Sequence, residues 1–334
     1  MPEAAIQPLV APAAARPAAV RVARIAGLGH HVPERVVHNA ELADRFGVDD
    51  AWIVRRTGIH SRRWAAPGEG LDDMATAAGE RALEDAGLDA SDIDLVLVAT
   101  VTQDQAIPNS APVVARRLGA LNAGAIDVGA TCTGWLSALQ LACGQVEAGR
   151  AERVLVIGAD LLSRLLDLDD PKTAALFADG AGAVVVSADG TGSGVGPIAL
   201  EADGELAGAI YATRADAKIR MDGHSTYQFA VKQLTEITVR VCERAGVALD
   251  DVDLFVYHQA NGRIIRAVGD RLGLPRERVA DYVAGMANTS AASIPLALSL
   301  LREDGRLHAG QRIFVAAMGA GFVWGAGLLE WGNG

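Results

Sequence analysis

A cysteine at position 132 follows the apolar stretch Ala125-Ile126-Asp127-Val128 and precedes a helix-like run beginning at Gly134-Trp135. The N-terminus of a helix offers unpaired N–H groups and a partial positive charge, which favour a thiolate over a thiol and so a nucleophile. Two further groups lie far away in sequence. His258 directly follows the strand-like Asp253-Leu254-Phe255-Val256-Tyr257, and Asn288 sits in Ala287-Asn288-Thr289-Ser290, a turn entering a helix. Met318-Gly319-Ala320-Gly321-Phe322 is a Gly-rich turn whose N–H groups can face an oxyanion. Each alone has a plain reading: a small buried hydrophobe, a hydrogen-bonded histidine, a helix cap, a turn. Together they match a cysteine nucleophile whose histidine and asparagine meet it in space.

Alternating elements must carry these residues. Val20 to Leu28 reads as a first strand, with Gly29-His30-His31-Val32-Pro33 as its turn. Leu71 to Ala86 has helical periodicity, and Asp94 to Thr100 reads as a strand buried on both faces. Further strands are expected at Ala125–Val128, Arg153–Ile157, Ala183–Val186, Asp253–Tyr257, Arg312–Ala317 and Gly325–Trp331, with a long helix near Tyr227–Ala245. The fold class is therefore α/β. An internal echo adds to this: Ala82 to Val96 and Cys242 to Phe255 both run helix, Ala-Gly, short loop, Asp and strand, which suggests duplication. The expected division is an extended, disordered segment 1–19, a first half 20–192 with the cysteine, and a second half 193–334 with the histidine and asparagine.

Composition narrows the function. Thirty Lys and Arg against 41 Asp and Glu give a net charge of −11, which argues against nucleic acid or an anionic membrane as the main partner. No apolar run reaches the length of a membrane span, and the Ala- and Pro-rich start lacks the pattern of a secretory signal. Cys132, Cys143 and Cys242 form an odd set without CxxC spacing, as expected of a cytoplasmic protein. The glycines of Gly180-Ala181-Gly182 and Gly319-Ala320-Gly321 do not make a dinucleotide fingerprint.

The chain resembles the β-ketoacyl-acyl carrier protein synthase III enzymes of the thiolase fold. The similarity rests on Trp52-Ile53-Val54-Arg55-Arg56-Thr57-Gly58-Ile59, the Cys132 junction, Phe177 to Ala183, His258-Gln259-Ala260-Asn261, Asn288 to Pro295, and Gly319 to Gly325, in that order. It implies a layered αβαβα architecture of two pseudo-duplicated halves and a homodimer. It also implies a two-step Claisen condensation. Cys132 would take an acyl group from acyl-CoA, with the N–H groups of Cys132 and Ala320 as the oxyanion hole. His258 and Asn288 would then stabilise the enolate left when a malonyl-acyl carrier protein loses carbon dioxide. No metal or organic cofactor is expected.

The same resemblance assigns the entrance. Trp52 and Arg56 would hold the CoA adenine, with Asn261 also at the substrate, while Pro171 stands where a second adenine-contacting arginine is expected and Lys172 follows it. Arg263 and Arg266 would meet the carrier, although Asp270 and Gln228 replace expected basic residues. Ile107 stands where acetyl-selective members carry Phe, implying a roomier acyl pocket. Two other readings are starter-unit loading or acyl transfer in polyketide or specialised metabolism, and a non-catalytic thiolase-fold partner subunit.

Overall fold

The structure, a computed structural model, describes residues 21–188 and 194–332. The expected disorder of 1–19 lies outside these residues, as does the expected boundary between 192 and 193. Nine strands build two sheets. The first contains β1 (Arg24–His31), β2 (Leu95–Ala99), β3 (Gly124–Val128), β4 (Arg153–Leu161) and β5 (Asp179–Ser187) in the order β1-β5-β4-β2-β3. The second contains β6 (Val195–Ala202), β7 (Leu254–Tyr257), β8 (Arg312–Gly319) and β9 (Val323–Glu330) in the order β7-β8-β9-β6. The pairs β2/β3, β2/β4 and β7/β8 are parallel.

Six helices matter to the site: α1 (Asp50–Thr57), α2 (Leu71–Ala86), α3 (Gly134–Glu147), α4 (Gly223–Ala245), α5 (Gly262–Leu272) and α6 (Ser293–Glu303). The continuous apolar runs of the strands follow from burial on both faces. Val154 and Val156 of β4 pack inward with Trp135, Leu136 and Leu139 of α3 and Ile294 and Leu298 of α6, and Val256 and Val315 of the second sheet meet the same helices. Leu155 and Ile157 point the other way, onto Met74, Ala78 and Ala82 of α2. Phe255, Tyr257 and Phe314 face outward onto Leu234 and Ile237 of α4 and Ile265 of α5. The layers therefore run α, β, α, β, α, with α3 and α6 in the middle.

The sequence echo has a geometric counterpart. Helices α2 and α4 both end on a left-handed glycine, Gly87 (φ 65°) and Gly246 (φ 67°), followed by a short turn and a parallel strand. Asp94 caps the entry of β4, accepting from the N–H groups of Glu152 at 2.7 Å and Arg153 at 3.0 Å. Asp253 accepts from the Arg312 N–H at 2.7 Å at the start of β8.

One expectation is corrected. Gly29-His30-His31 is strand, not turn, because β1 continues its pairing with β5 through His31 and Ala181. Gly29 serves close packing instead: a Cβ there would lie 2.3 Å from the Ala78 carbonyl of α2.

Candidate active site

Cys132 occupies a single turn, Thr131–Thr133, between β3 and α3. Two close approaches fix that turn. A Cβ on Gly319 of β8 would lie 2.3 Å from Thr131 Oγ1 and 2.8 Å from the Cys132 nitrogen, and the Thr131 hydroxyl donates to the Ala320 carbonyl at 3.1 Å. The turn 290–292 lies against β4 in the same way, since a Cβ on Gly158 would meet the Ala291 carbonyl at 2.3 Å.

The sulfur lies at a cavity of about 590 Å³ that Cys132 shares with His258, Asn288, Gly319 and Ala320. Burial pushes its thiol up to about 12; the Ser290 hydroxyl opposes this, the Asp160 charge adds to it, and the Cys132 N–H opposes it. The resting cysteine therefore keeps its proton, in contrast to the thiolate expected from the helix terminus alone. Cys143 and Cys242 are buried in the helical layers, and burial raises both thiols.

His258 follows β7 and is 3 % exposed. Its Nδ1 lies 2.6 Å from Ser293 Oγ, which also accepts the Gln259 N–H at 3.3 Å. With the serine hydroxyl donating to Nδ1, the neutral imidazole carries its proton on Nε2. Asn288 is oriented likewise. Its Oδ1 accepts the Ser290 N–H at 2.9 Å, and its backbone is bound to Leu176 and Ala178 at 3.1 and 2.8 Å. The side-chain amide nitrogen is left for the cavity. Two neutral N–H donors thus serve one space with the thiol, an arrangement able to hold a developing oxyanion.

Burial pulls His258 down to about 3, so the imidazole is neutral at physiological pH. Unfolded, the same group would titrate near 6.5. Between these values the unfolded chain binds a proton that the folded chain does not, so this group's contribution to stability is lost as pH falls below about 6.5. Its slope approaches about 1.4 kcal/mol per pH unit between about pH 4 and about pH 6. Replacing His258 with Gln is expected to remove that slope. Denaturant unfolding of both proteins across this range checks it, and parallel stability curves would refute it.

Asp160, at the end of β4, was not singled out by its sequence. Its Oδ1 accepts from Thr100 Oγ1 at 3.1 Å, the Val101 N–H at 3.0 Å and Thr102 Oγ1 at 2.9 Å, and its Oδ2 from the Ala291 N–H at 3.3 Å. Burial raises this carboxyl, and the Val101 N–H, the Ser290 and Thr102 hydroxyls and the Ala291 N–H lower it. An acidic residue inside the apolar run of β4 was the available signal; Ser293, within the Asn288 motif, had none beyond its neighbours.

At the mouth, the Arg56 guanidinium lies 4.0 Å over the Trp52 ring, and both line the cavity with Pro171, Lys172 and Arg263. Asp49 caps α1 through the Trp52 N–H at 2.6 Å. Asn261 lines the cavity and joins two helices, donating to the Arg56 carbonyl at 3.1 Å and accepting the Arg263 N–H at 2.8 Å. Arg263 lies 5.1 Å over the Tyr227 ring, whereas Arg266 sits outside the cavity, 3.7 Å from Asp281. Ile107 does not line this cavity. It is 88 % exposed, in the loop after β2.

Among the described residues no group of three His, Cys, Asp or Glu side chains could hold a metal ion, and no helix is long and apolar enough to cross a membrane.

Comparison with known proteins agrees with this architecture. The profile of 3-oxoacyl-[acyl-carrier-protein] synthase III matches residues 126–204, and that of its C-terminal part matches residues 242–331. The chain is 44% identical to the β-ketoacyl-[acyl-carrier-protein] synthase III of Geobacillus kaustophilus over 93% of this chain and 99% of that protein. The crystal structure of 3-oxoacyl-[acyl-carrier-protein] synthase III from Aquifex aeolicus superposes with a TM-score of 0.90 at 39% identity, covering 92% of this chain and all of that one. The priming β-ketosynthase of the R1128 polyketide pathway superposes with a TM-score of 0.91 at 35% identity, covering 96% and 99%. The thiolase-fold chain described here belongs to the β-ketoacyl-acyl carrier protein synthase III family.

Proposed function

We propose that this protein condenses an acyl-CoA primer with a malonyl-acyl carrier protein to give a 3-oxoacyl-acyl carrier protein, the opening step of fatty acid synthesis. The observation that carries the reading is the pair of donors, His258 Nε2 and Asn288 Nδ2, left unbonded by the protein in the cavity that holds Cys132. In the first step Cys132 attacks the primer thioester. The carbon–sulfur bond to CoA breaks, and the thiol proton passes, in net terms, to the departing CoA thiolate. The N–H groups of Cys132 and Ala320 would hold the tetrahedral oxyanion. In the second step the malonyl carbon–carboxylate bond breaks, and its electron pair forms an enolate held by His258 and Asn288. Carbon dioxide leaves, the enolate carbon attacks the acyl-cysteine, the acyl carbon–sulfur bond breaks, and the Cys132 thiolate takes a proton from water to regenerate the thiol. None of these steps calls for a metal or organic cofactor.

Trp52, Arg56 and Asn261 suit the CoA entrance, and Arg263 and Arg266 a carrier protein's acidic surface. The likeness to a priming β-ketosynthase favours starter loading onto a polyketide carrier as the second reading. Incubation with primer and malonyl-carrier decides the chemistry: carbon dioxide and 3-oxoacyl-carrier support condensation, and acyl-enzyme without carbon dioxide supports simple transfer.

The proposed assembly is a homodimer. β3 is an edge strand, paired on one side with β2 alone, and Ile126 on it is 55 % exposed. A second copy adding its own β3 would cover that edge and bring Ile107 toward the partner's cavity. Sedimentation showing only monomer at micromolar concentration would reject this assembly.

A further inference from the structure

Thr226 is 8 % exposed, lines the cavity of Cys132, and its Oγ1 has no hydrogen-bond partner. A buried hydroxyl without a partner is costly, and native proteins rarely leave one so. Other helical threonines here avoid the cost by folding back onto the carbonyl four residues earlier: Thr57 onto Ile53 at 2.8 Å, Thr76 onto Asp72 at 2.7 Å, Thr235 onto Val231 and Thr238 onto Leu234, both at 2.6 Å. Thr226 does not. Nor is it needed as a cap, because Asp222 already accepts from the N–H groups of His224 and Ser225 at 3.1 and 3.2 Å.

Its position sets the depth. Thr226, Ala230 and Leu234 form one stripe of α4, at i, i+4 and i+8, along the cavity wall. The residues before Thr226 are exposed, and Tyr227 beside it lies under Arg263 at the mouth. Thr226 thus stands on the cavity wall where the exposed first turn of α4 gives way to the buried Ala230 and Leu234. We infer that Thr226 binds an amide of the phosphopantetheine arm common to CoA and carrier-protein thioesters, supplying a polar contact on the wall of the arm's path. This rests on the condensing-enzyme reading, since that arm is what both proposed substrates thread toward Cys132. A valine of the same shape would serve the wall equally well if nothing polar passed it.

The test follows acylation of Cys132 by mass spectrometry in wild type, Thr226→Val and Thr226→Ser. The donor is whichever of acetyl-, isobutyryl- or octanoyl-CoA acylates the wild type fastest, together with the S-phenyl thioester of the same acid, which has no amide. Thr226→Val should raise KM for the CoA donor about tenfold, leave the S-phenyl rate within about twofold, and melt no lower than wild type. Thr226→Ser should keep most of the affinity. A KM unchanged in Thr226→Val, or an equal loss with both donors, overturns this inference alone. A wild type that forms no acyl-enzyme with any thioester overturns the condensing-enzyme reading and this inference with it.

Discussion

Cys132→Ala is expected to lose condensation by about four orders of magnitude or more while still releasing carbon dioxide from the malonyl-thioester. The two halves of the result come from different atoms. Acyl transfer needs a sulfur at the turn before α3, and alanine offers no nucleophile. Decarboxylation needs donors at the thioester oxygen, and those are His258 and Asn288, held by Ser293 and by the Ser290 N–H. The Cys132 thiol meets the Ser290 hydroxyl, whereas Asn288 is held by the Ser290 backbone N–H and His258 by Ser293, so removal of the sulfur leaves both donors aligned. Condensation measured as 3-oxoacyl product and decarboxylation as released carbon dioxide separate the two. Parallel loss of both would mean that the thiol also organises the donors, contrary to the reading given.

The complementary substitutions reverse the pattern. His258→Ala or Asn288→Ala should each slow decarboxylation by about 10²- to 10³-fold, the usual cost of one preorganised donor in a dry site. Acylation of Cys132 should change far less, because the oxyanion of that step faces backbone N–H groups. The double variant should fall short of the product of the single losses, since both donors serve one oxygen. Rapid-quench acylation beside carbon dioxide release makes the comparison. Equal slowing of both steps in His258→Ala would instead assign the imidazole to activation of the thiol.

The nucleophile and the histidine were legible because each follows a strand end, where α/β folds gather chemistry, and the asparagine because it stands in a turn that enters a helix. Helix α2 was legible for a similar reason: its apolar stripe runs unbroken from Leu71 to Ala86, and glycines flank it. The first strand was misplaced because glycine has two uses, and at Gly29 it allows contact with α2 and makes no turn. Ile107 was assigned to a pocket by likeness of position, and because it is exposed in the single chain that assignment depends on the proposed second copy. Asp160 and Ser293 escaped notice because their partners, Thr100, Val101, Thr102, Ala291 and Gln259, are assembled only by the fold. The protonation of Cys132 depended in the same way on burial, which no local spacing reports.

The shared middle layer makes the two sheets inseparable partners. Cys132 sits in the turn that leads into a helix packed against both sheets, and His258 is braced by a serine of the other central helix. Cutting the chain between the sheets would leave each fragment with a naked apolar surface and an incomplete set of reacting groups. Such fragments could regain activity only by reassembling, which makes catalysis itself a direct readout of whether the two pieces have found each other.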